Sequence, residues 1–318
     1  VIFNRKKHQP QPPHQPQPPA PQAPQAPPGQ PGQGDVLVDL AMQSLANRGL
    51  QPAYAGQDEI RVGDHRIFLD NLRAQLREVP QQQWPAEIDT FLGPLLAMPQ
   101  GGSTETLADV SSIIYPRLTG LSAFGDNQDV IEKAIAAGRR VSDELVILPA
   151  IDRPETVETV TDPGQYGGWD AIWPVAMNNL RALPPQHYDQ FAPPDNPAAA
   201  IHVLEGEDFF GASRVLVLED ALAKAGARLD LRNGALIAMP GRSGLAIHPV
   251  LDSEGVVTAM TTLIGFANGD MVGTVSTNVY FRAPDGTLQQ VSFADNGQAE
   301  VRVVGPFEDA MRAIGAVN

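Results

Sequence analysis

The chain has 318 residues, with 22 Lys and Arg against 37 Asp and Glu, a formal net charge of −15, and no cysteine. A thiol nucleophile, a disulfide framework and a Cys-liganded metal site are excluded. A nucleic-acid binder needs surplus cations to neutralise phosphates, and the balance here runs the other way.

Residues 1–34 hold 11 prolines and 8 glutamines and have no acidic residue. Such a segment buries too little apolar surface to offset its ordering entropy, and it reads as a disordered Pro/Gln-rich arm of polyproline II character. Its pairs Pro12-Pro13, Pro18-Pro19 and Pro27-Pro28 suit docking into an aromatic groove, or the arm is a solvated spacer. It takes three basic residues, Arg5, Lys6 and Lys7, so residues 35–318 carry 19 basic and 37 acidic side chains, a net of −18. Val1-Ile2-Phe3 is too short for the apolar region of a signal peptide, and the best apolar run, 256–267, is too short to span a bilayer. A cytoplasmic protein without membrane insertion is the expectation.

Asp35 can cap a helix running to Asn47, in which Leu37, Leu40, Ala41 and Leu45 share a face and Gly49 is placed to end it. Residues 59–62 and 65–69 alternate apolar and polar around Gly63-Asp64, which suits a two-residue hairpin. Leu72, Leu76 and Val79 mark a helix stopped by Pro80. Pro85 then sits at a first helical position, and Ile88, Phe91, Leu92 and Leu95 continue an apolar face. After a break at 99–102, helices are expected around 104–118 and 127–137. A strand at 145–148 leads to Pro149, with a partner strand at 157–160. Trp169, Ile172, Trp173, Ala176, Met177 and Leu180 recur at helical spacing over 168–183, a helix expected to be buried through Trp169, Trp173 and Leu180; Pro174 should delay its start or kink it.

Strands follow at 200–204, 235–239 and 245–250, the last two around the turn 240–244. Between the first two, residues 214–218 lead into a short helix, 219–225, stopped by Gly226. Residues 256–304 read as antiparallel strands with turns at 268–270 and 284–286, and 307–314 as a closing helix. The fold class is α+β, mixed helices and mainly antiparallel strands, because no regular βαβ alternation is present. Four parts are expected: the arm 1–34, a helix–hairpin–helix unit 35–98, an α+β core 99–255, and strands with a closing helix 256–318.

Catalytic templates are empty. Residues 206–213 have Walker A spacing, but Ala212 stands where the phosphate-binding Lys belongs and Glu207 and Asp208 would repel phosphate. Gly241-Arg242-Ser243-Gly244 lacks the glycine spacing of a nucleophile elbow. His65, His187, His202 and His248 are too scattered for metal-ligand spacing. No cofactor motif is found, so no cofactor is expected.

Four stretches resemble the YtpQ-like family of bacterial proteins, a domain of unknown function, between about residues 67 and 245. They are Phe68-Leu69-Asp70-Asn71-Leu72; the strand and Asp-containing turn 145–152; Ala176-Met177-Asn178-Asn179-Leu180; and Ala212-Ser213-Arg214-Val215-Leu216 with the later Ile237-Ala238-Met239-Pro240-Gly241-Arg242-Ser243. The family pattern Pro-Asn-Arg-Asp is altered here, with Gly241 and Ser243 in place of Asn and Asp. The resemblance implies a cytoplasmic α+β domain and assigns 99–255 as its core.

Two functions remain open. The first is a non-enzymatic protein-interaction or accessory, chaperone-like domain with a protein partner, which fits the empty catalytic search, the proline-rich arm and the acidic body. The second is a small-anion-binding protein or enzyme centred on Asn179, Arg214 and Arg242, since arginine suits bidentate recognition of carboxylate or phosphate. Asn179 also sits beside the apolar stripe of its helix, where a half-buried amide can tie helix to loop. The ordinary alternative for each arginine is a surface salt bridge.

Overall fold

Asp35 opens the first helix by accepting the Leu37 N–H on its carboxylate at 3.1 Å, one of the donors that a helix start leaves unpaired. The computed structural model describes residues 35–56, 59–62, 65–69, 72–73, 76–97, 105–124, 128–153, 157–269, 273–295 and 298–317. The arm 1–34, the hairpin turn Gly63-Asp64 and the break at 99–102 lie outside the described residues. Helix α1 (Val36–Asn47) packs on α2 (Trp84–Ala97) and on a three-stranded antiparallel sheet. The sheet adds β1 (Pro52–Gly56), not expected from the sequence, to the hairpin of β2 (Glu59–Val62) and β3 (His65–Phe68). Leu37, Leu45, Ile60, Leu72, Ile88 and Leu92 are fully buried in a core drawn wholly from residues 37–92.

The second sheet corrects the expected helix at 104–118. Only Leu107–Val110 is helical (α3), and β4 (Ile114–Gly120) follows as a strand. Pro116 cannot donate within a helix, and β-branched Ile113, Ile114 and Thr119 favour the extended backbone. Residue by residue, β4 pairs with β6 (Leu145–Asp152), Pro116 facing Pro149, so β6 runs through the proline where the sequence suggested an end. Helix α4 (Gln128–Ala137) precedes β5 (Arg139–Arg140), which flanks β6, and β7 (Val157–Thr159) pairs with its far end. Helix α5 (Trp169–Ala182) lies on β4, with Pro174 inside it. Leu180 is buried, whereas Trp169 and Trp173 are half-buried; Trp169 donates its indole N–H to the Ala137 carbonyl at 2.7 Å, and Arg139 stacks on both rings.

The third sheet has six antiparallel strands in the order β13-β12-β10-β11-β9-β8. These are β8 (His187–Phe191), unforeseen at the edge, β9 (Ile201–Glu205), β10 (Ala235–Ala238), β11 (Gly244–Pro249), β12 (Val279–Arg282) and β13 (Leu288–Gln290). Side chains alternate between its faces with the period of two that a strand imposes. Leu236, Ala246 and Phe281 enter one core; Ile237, Ile247 and Tyr280 enter the other.

The first core is closed by α7 (Ser253–Ala267), which corrects the expectation of strands from 256 onward. Asp252 caps it through the Gly255 N–H at 2.7 Å, and Val256, Ala259, Met260, Leu263 and Ala267 form its buried face. The expected boundary at 255/256 therefore runs through a helix. A final helix, α8 (Gly305–Ala313), covers the same face, after a separate hairpin of β14 (Ser292–Asp295) and β15 (Gln298–Val301). The opposite core is covered by a 3-10 turn, Ala212–Val217, running into α6 (Leu218–Lys224), and is joined by Leu118, Leu145 and Ile147 of the second sheet. The protein is thus α+β, built on antiparallel sheets.

Candidate functional site

Two loops meet where the second and third sheets share this core. The turn joining β10 to β11 carries Arg242, and the segment after β9 carries Asp208, Phe209 and Phe210. Backbone bonds clasp them: Gly206 N–H to Ser243 O at 3.0 Å and Ala212 N–H to Arg242 O at 3.0 Å. The approach is close enough that a Cβ at Gly211 would lie 2.0 Å from the Ser243 carbonyl oxygen, so only glycine fits there.

Arg242 lies with its guanidinium 4.0 Å from the centre of the Phe209 ring. The backbone of Gly273 crosses its aliphatic stem; a Cβ at that residue would meet Arg242 Cδ at 2.9 Å, and its φ of +67° is itself in the region glycine favours. The head is half-buried, and burial lowers its pKa. Among the described residues it has no carboxylate and no hydrogen-bond partner. Stacking holds it in place without neutralising it.

Arg117, which sequence reasoning missed, is another arginine without a partner among the described residues. It projects from β4 on the same side of the strand as Tyr115, two residues earlier. Its side chain is half-buried and likewise has no partner among the described residues. Burial, and then the charge of nearby Arg242, bring its pKa down to about 10. Arg282 shows the ordinary fate of a buried arginine here: its Nε donates to Val215 O at 2.9 Å, and its two terminal nitrogens each hold Glu219 at 2.8 Å.

Arg214 proves to be of that ordinary kind. It is 2% exposed, donates to the Pro184 carbonyl at 2.5 Å and forms an ion pair with Asp208; its Nε has no partner. Asp208 also accepts the Phe210 N–H at 2.8 Å, so the pair fixes the loop that presents Phe209 to Arg242. Arg214 and Arg242 are thus on clasped loops, but only Arg242 is left for a ligand. Asn179 lies elsewhere in this packing: its amide donates to Ser111 O at 2.7 Å and Ile114 O at 2.8 Å, tying α5 to the start of β4.

The other border of the site is acidic and aromatic. Tyr115 stacks on Phe210 with ring centres 4.4 Å apart. Burial, then the charges of Asp152 and Asp208, raise the Tyr115 pKa. Asp152, at the end of β6, is half-buried, and its carboxylate has no partner among the described residues; burial, then the Asp208 charge, raise its pKa. Asp208 also borders a surface cleft of about 640 Å³ lined by Pro184, Pro185, His187, Glu205 and Glu207, whose carboxylates make it unsuited to anions.

Among the described residues, no group of three or more His, Asp or Glu side chains could hold a metal ion, and no helix is long and apolar enough to cross a membrane. Comparison of the chain with protein-family models, with curated proteins and with solved structures gives no match.

Proposed function

We propose that this protein binds a small anion, a carboxylate or a phosphate, between Arg117 and Arg242. The observation that carries this reading is two half-buried guanidinium groups, Arg117 and Arg242, each without a carboxylate or hydrogen-bond partner among the described residues, in a chain of net charge −15. Removing a charge from water without compensation is costly, and a like charge alongside adds to that cost. An anion between the two heads offsets both, and the planar guanidinium suits two parallel hydrogen bonds to carboxylate or phosphate oxygens. The fixed Arg242 stem and the clasped loops orient that head before the ligand arrives, which lowers the ordering cost of binding. The role proposed is recognition.

The resemblance to the YtpQ-like family belongs to the same proposal, and the two pieces of its fourth stretch supply Arg214 and Arg242. A cytoplasmic location is proposed with it, in keeping with a chain free of cysteine. The accessory-protein reading keeps one observation in its favour: β8 is an outer strand with Phe191 44% exposed, and a free strand edge can pair with an extended segment of a protein partner.

Calorimetric titration at low ionic strength tests the anion reading, with phosphate, sulfate and pentanoate added to wild type, Arg117→Ala and Arg242→Ala. Saturable binding to wild type, weakened tenfold or more in each variant, is the expected result. No binding to wild type, or equal binding by both folded variants, overturns it.

A further inference from the structure

The six-stranded sheet ends at β8, so one row of backbone N–H and C=O groups on that strand faces no other strand among the described residues. The inner side of the strand is firmly held. It pairs with β9 from His187 to Phe191, and Tyr188 Oη meets His202 Nδ1 at 2.8 Å. His187, Asp189 and Phe191 are exposed and share one face of the sheet by the period of two, with Glu205 of β9 directly opposite His187.

This edge is acidic. Residues 182–213 hold five carboxylates, Asp189, Asp195, Glu205, Glu207 and Asp208, and no Lys or Arg, so the complement of the edge is a cation. Asp208 is engaged by Arg214, whereas Glu205 and Glu207 have no partner among the described residues and line the cleft at the His187 end of the strand. Asp189 accepts the Gln190 N–H beside it at 2.7 Å and has no cationic partner among the described residues. By contrast, β4 and β5, the outer strands of the second sheet, carry Arg117, Arg139 and Arg140 and repel a basic segment.

A segment of this chain has the complementary pattern. Residues 1–8 read Val-Ile-Phe-Asn-Arg-Lys-Lys-His, three apolar residues suited to a strand and then three cations. All strand pairs of the six-stranded sheet are antiparallel. Laid antiparallel on β8 with Phe3 beside Phe191, the segment brings Arg5 beside Asp189 and Lys7 beside His187, next to Glu205. Phe3, Arg5 and Lys7 share one face by the same period, so an aromatic pair and opposite charges meet along a single row. Displacing the Asp189 carboxylate from the Gln190 N–H is offset by its new partner, Arg5. Residues 9–34 are long enough as a tether: extended as polyproline II they reach about 80 Å, against about 50 Å across a compact body the size of residues 35–318. Such a tether makes docking intramolecular and raises the effective concentration of the segment at the edge.

We infer that residues 1–8 dock on the free edge of β8 as an additional antiparallel strand, with Arg5 paired to Asp189. The inference is independent of the anion reading, since no residue of that site takes part.

Hydrogen–deuterium exchange of the full chain at pH 7 and low ionic strength tests it, with the amides of residues 2–7 compared with those of a free peptide of matched sequence. Wild type is expected to exchange at least tenfold more slowly than the peptide. Arg5→Glu and Asp189→Lys are each expected to lose most of that protection, and the double variant to regain it by exchanging the two charges. Exchange in wild type as fast as in the peptide overturns the inference and leaves the edge to a protein partner. Protection unchanged in both single variants, or not regained in the folded double variant, overturns it as well. Protection that rises with chain concentration assigns the segment to the edge of a second copy and overturns docking within one chain.

Discussion

Arg117→Met should make the ligand-free protein more stable, the reverse of the usual effect of cutting back a half-buried side chain. The substitution keeps an unbranched apolar stem and removes the charge. The magnitude follows from the displacement of the Arg117 pKa from the ordinary arginine value down to about 10. At about 1.4 kcal/mol for each tenfold change in proton affinity, holding the charge in the folded chain costs up to about 3 kcal/mol at neutral pH. Water reaching the partly exposed head screens the charge and leaves about 1–2 kcal/mol. Urea denaturation of wild type and Arg117→Met at pH 7, in low-chloride buffer, should therefore show a higher midpoint for the variant with an unchanged slope. Added pentanoate should raise the midpoint of wild type and leave that of Arg117→Met nearly unmoved, because only a chain that binds gains stability by mass action. A variant less stable than wild type by more than 1 kcal/mol would refute the reasoning, since Arg117 would then be favourably paired in the folded protein.

Asn179→Asp should lose about 2–3 kcal/mol at pH 7, measured by urea denaturation, because two N–H donors are replaced by an anion facing the carbonyls of Ser111 and Ile114; loss below 0.5 kcal/mol would contradict the anchor assignment. Glu144 Oε1 accepts from Ser276 Oγ at 2.6 Å, Asn278 Nδ2 at 2.8 Å and Tyr280 Oη at 2.9 Å, so Glu144→Ala should cost about 3 kcal/mol and Glu144→Gln, which keeps an acceptor, about half that. His202 and His248 are buried and their pKa values are lowered by burial; His248 also has an unpartnered Nε2. The unfolded chain therefore binds more protons than the folded one below the usual histidine value of about 6.5, and stability should fall as pH drops through that value, by up to about 1.4 kcal/mol per pH unit for each histidine. His248→Leu should flatten that slope in denaturation curves taken from pH 7.5 to 5.5.

The elements legible in the sequence were those whose local chemistry and packing agree. Asp35 capping α1, the hairpin of β2 and β3 and the strands flanking the turn at Arg242 each carry their own signal. The misread segments are those where residue preference and period conflict. In 256–267 the valines, threonines and isoleucine suggest strands, yet Val256, Ala259, Met260, Leu263 and Ala267 fall at helical spacing, and burial against the six-stranded sheet decides the outcome. In 114–120 the error ran the other way, and its consequence was larger. As a helix, 104–118 gave Arg117 no particular neighbours; as a strand, it stacks Tyr115 on Phe210 of the 206–211 loop and puts Arg117 on the same side of the strand. Pro116 was the available signal.

Arg242 was recognisable because it sits in a glycine-rich turn. That Arg214 is consumed, by Asp208 six residues before it and by the Pro184 carbonyl 30 residues before it, depends on how the loops fold back on each other, which no local pattern encodes.

The central claim is that Arg117 and Arg242 together hold an anion. The most direct measurement is an anomalous difference map from a crystal of the full chain grown with bromide, which scatters strongly enough to be located without assumption about its site. The account predicts a bromide peak between the two guanidinium groups, lost in crystals of Arg117→Met. Bromide found only at other surface positions, with Arg117 or Arg242 in an ion pair to a carboxylate of the chain, would contradict it.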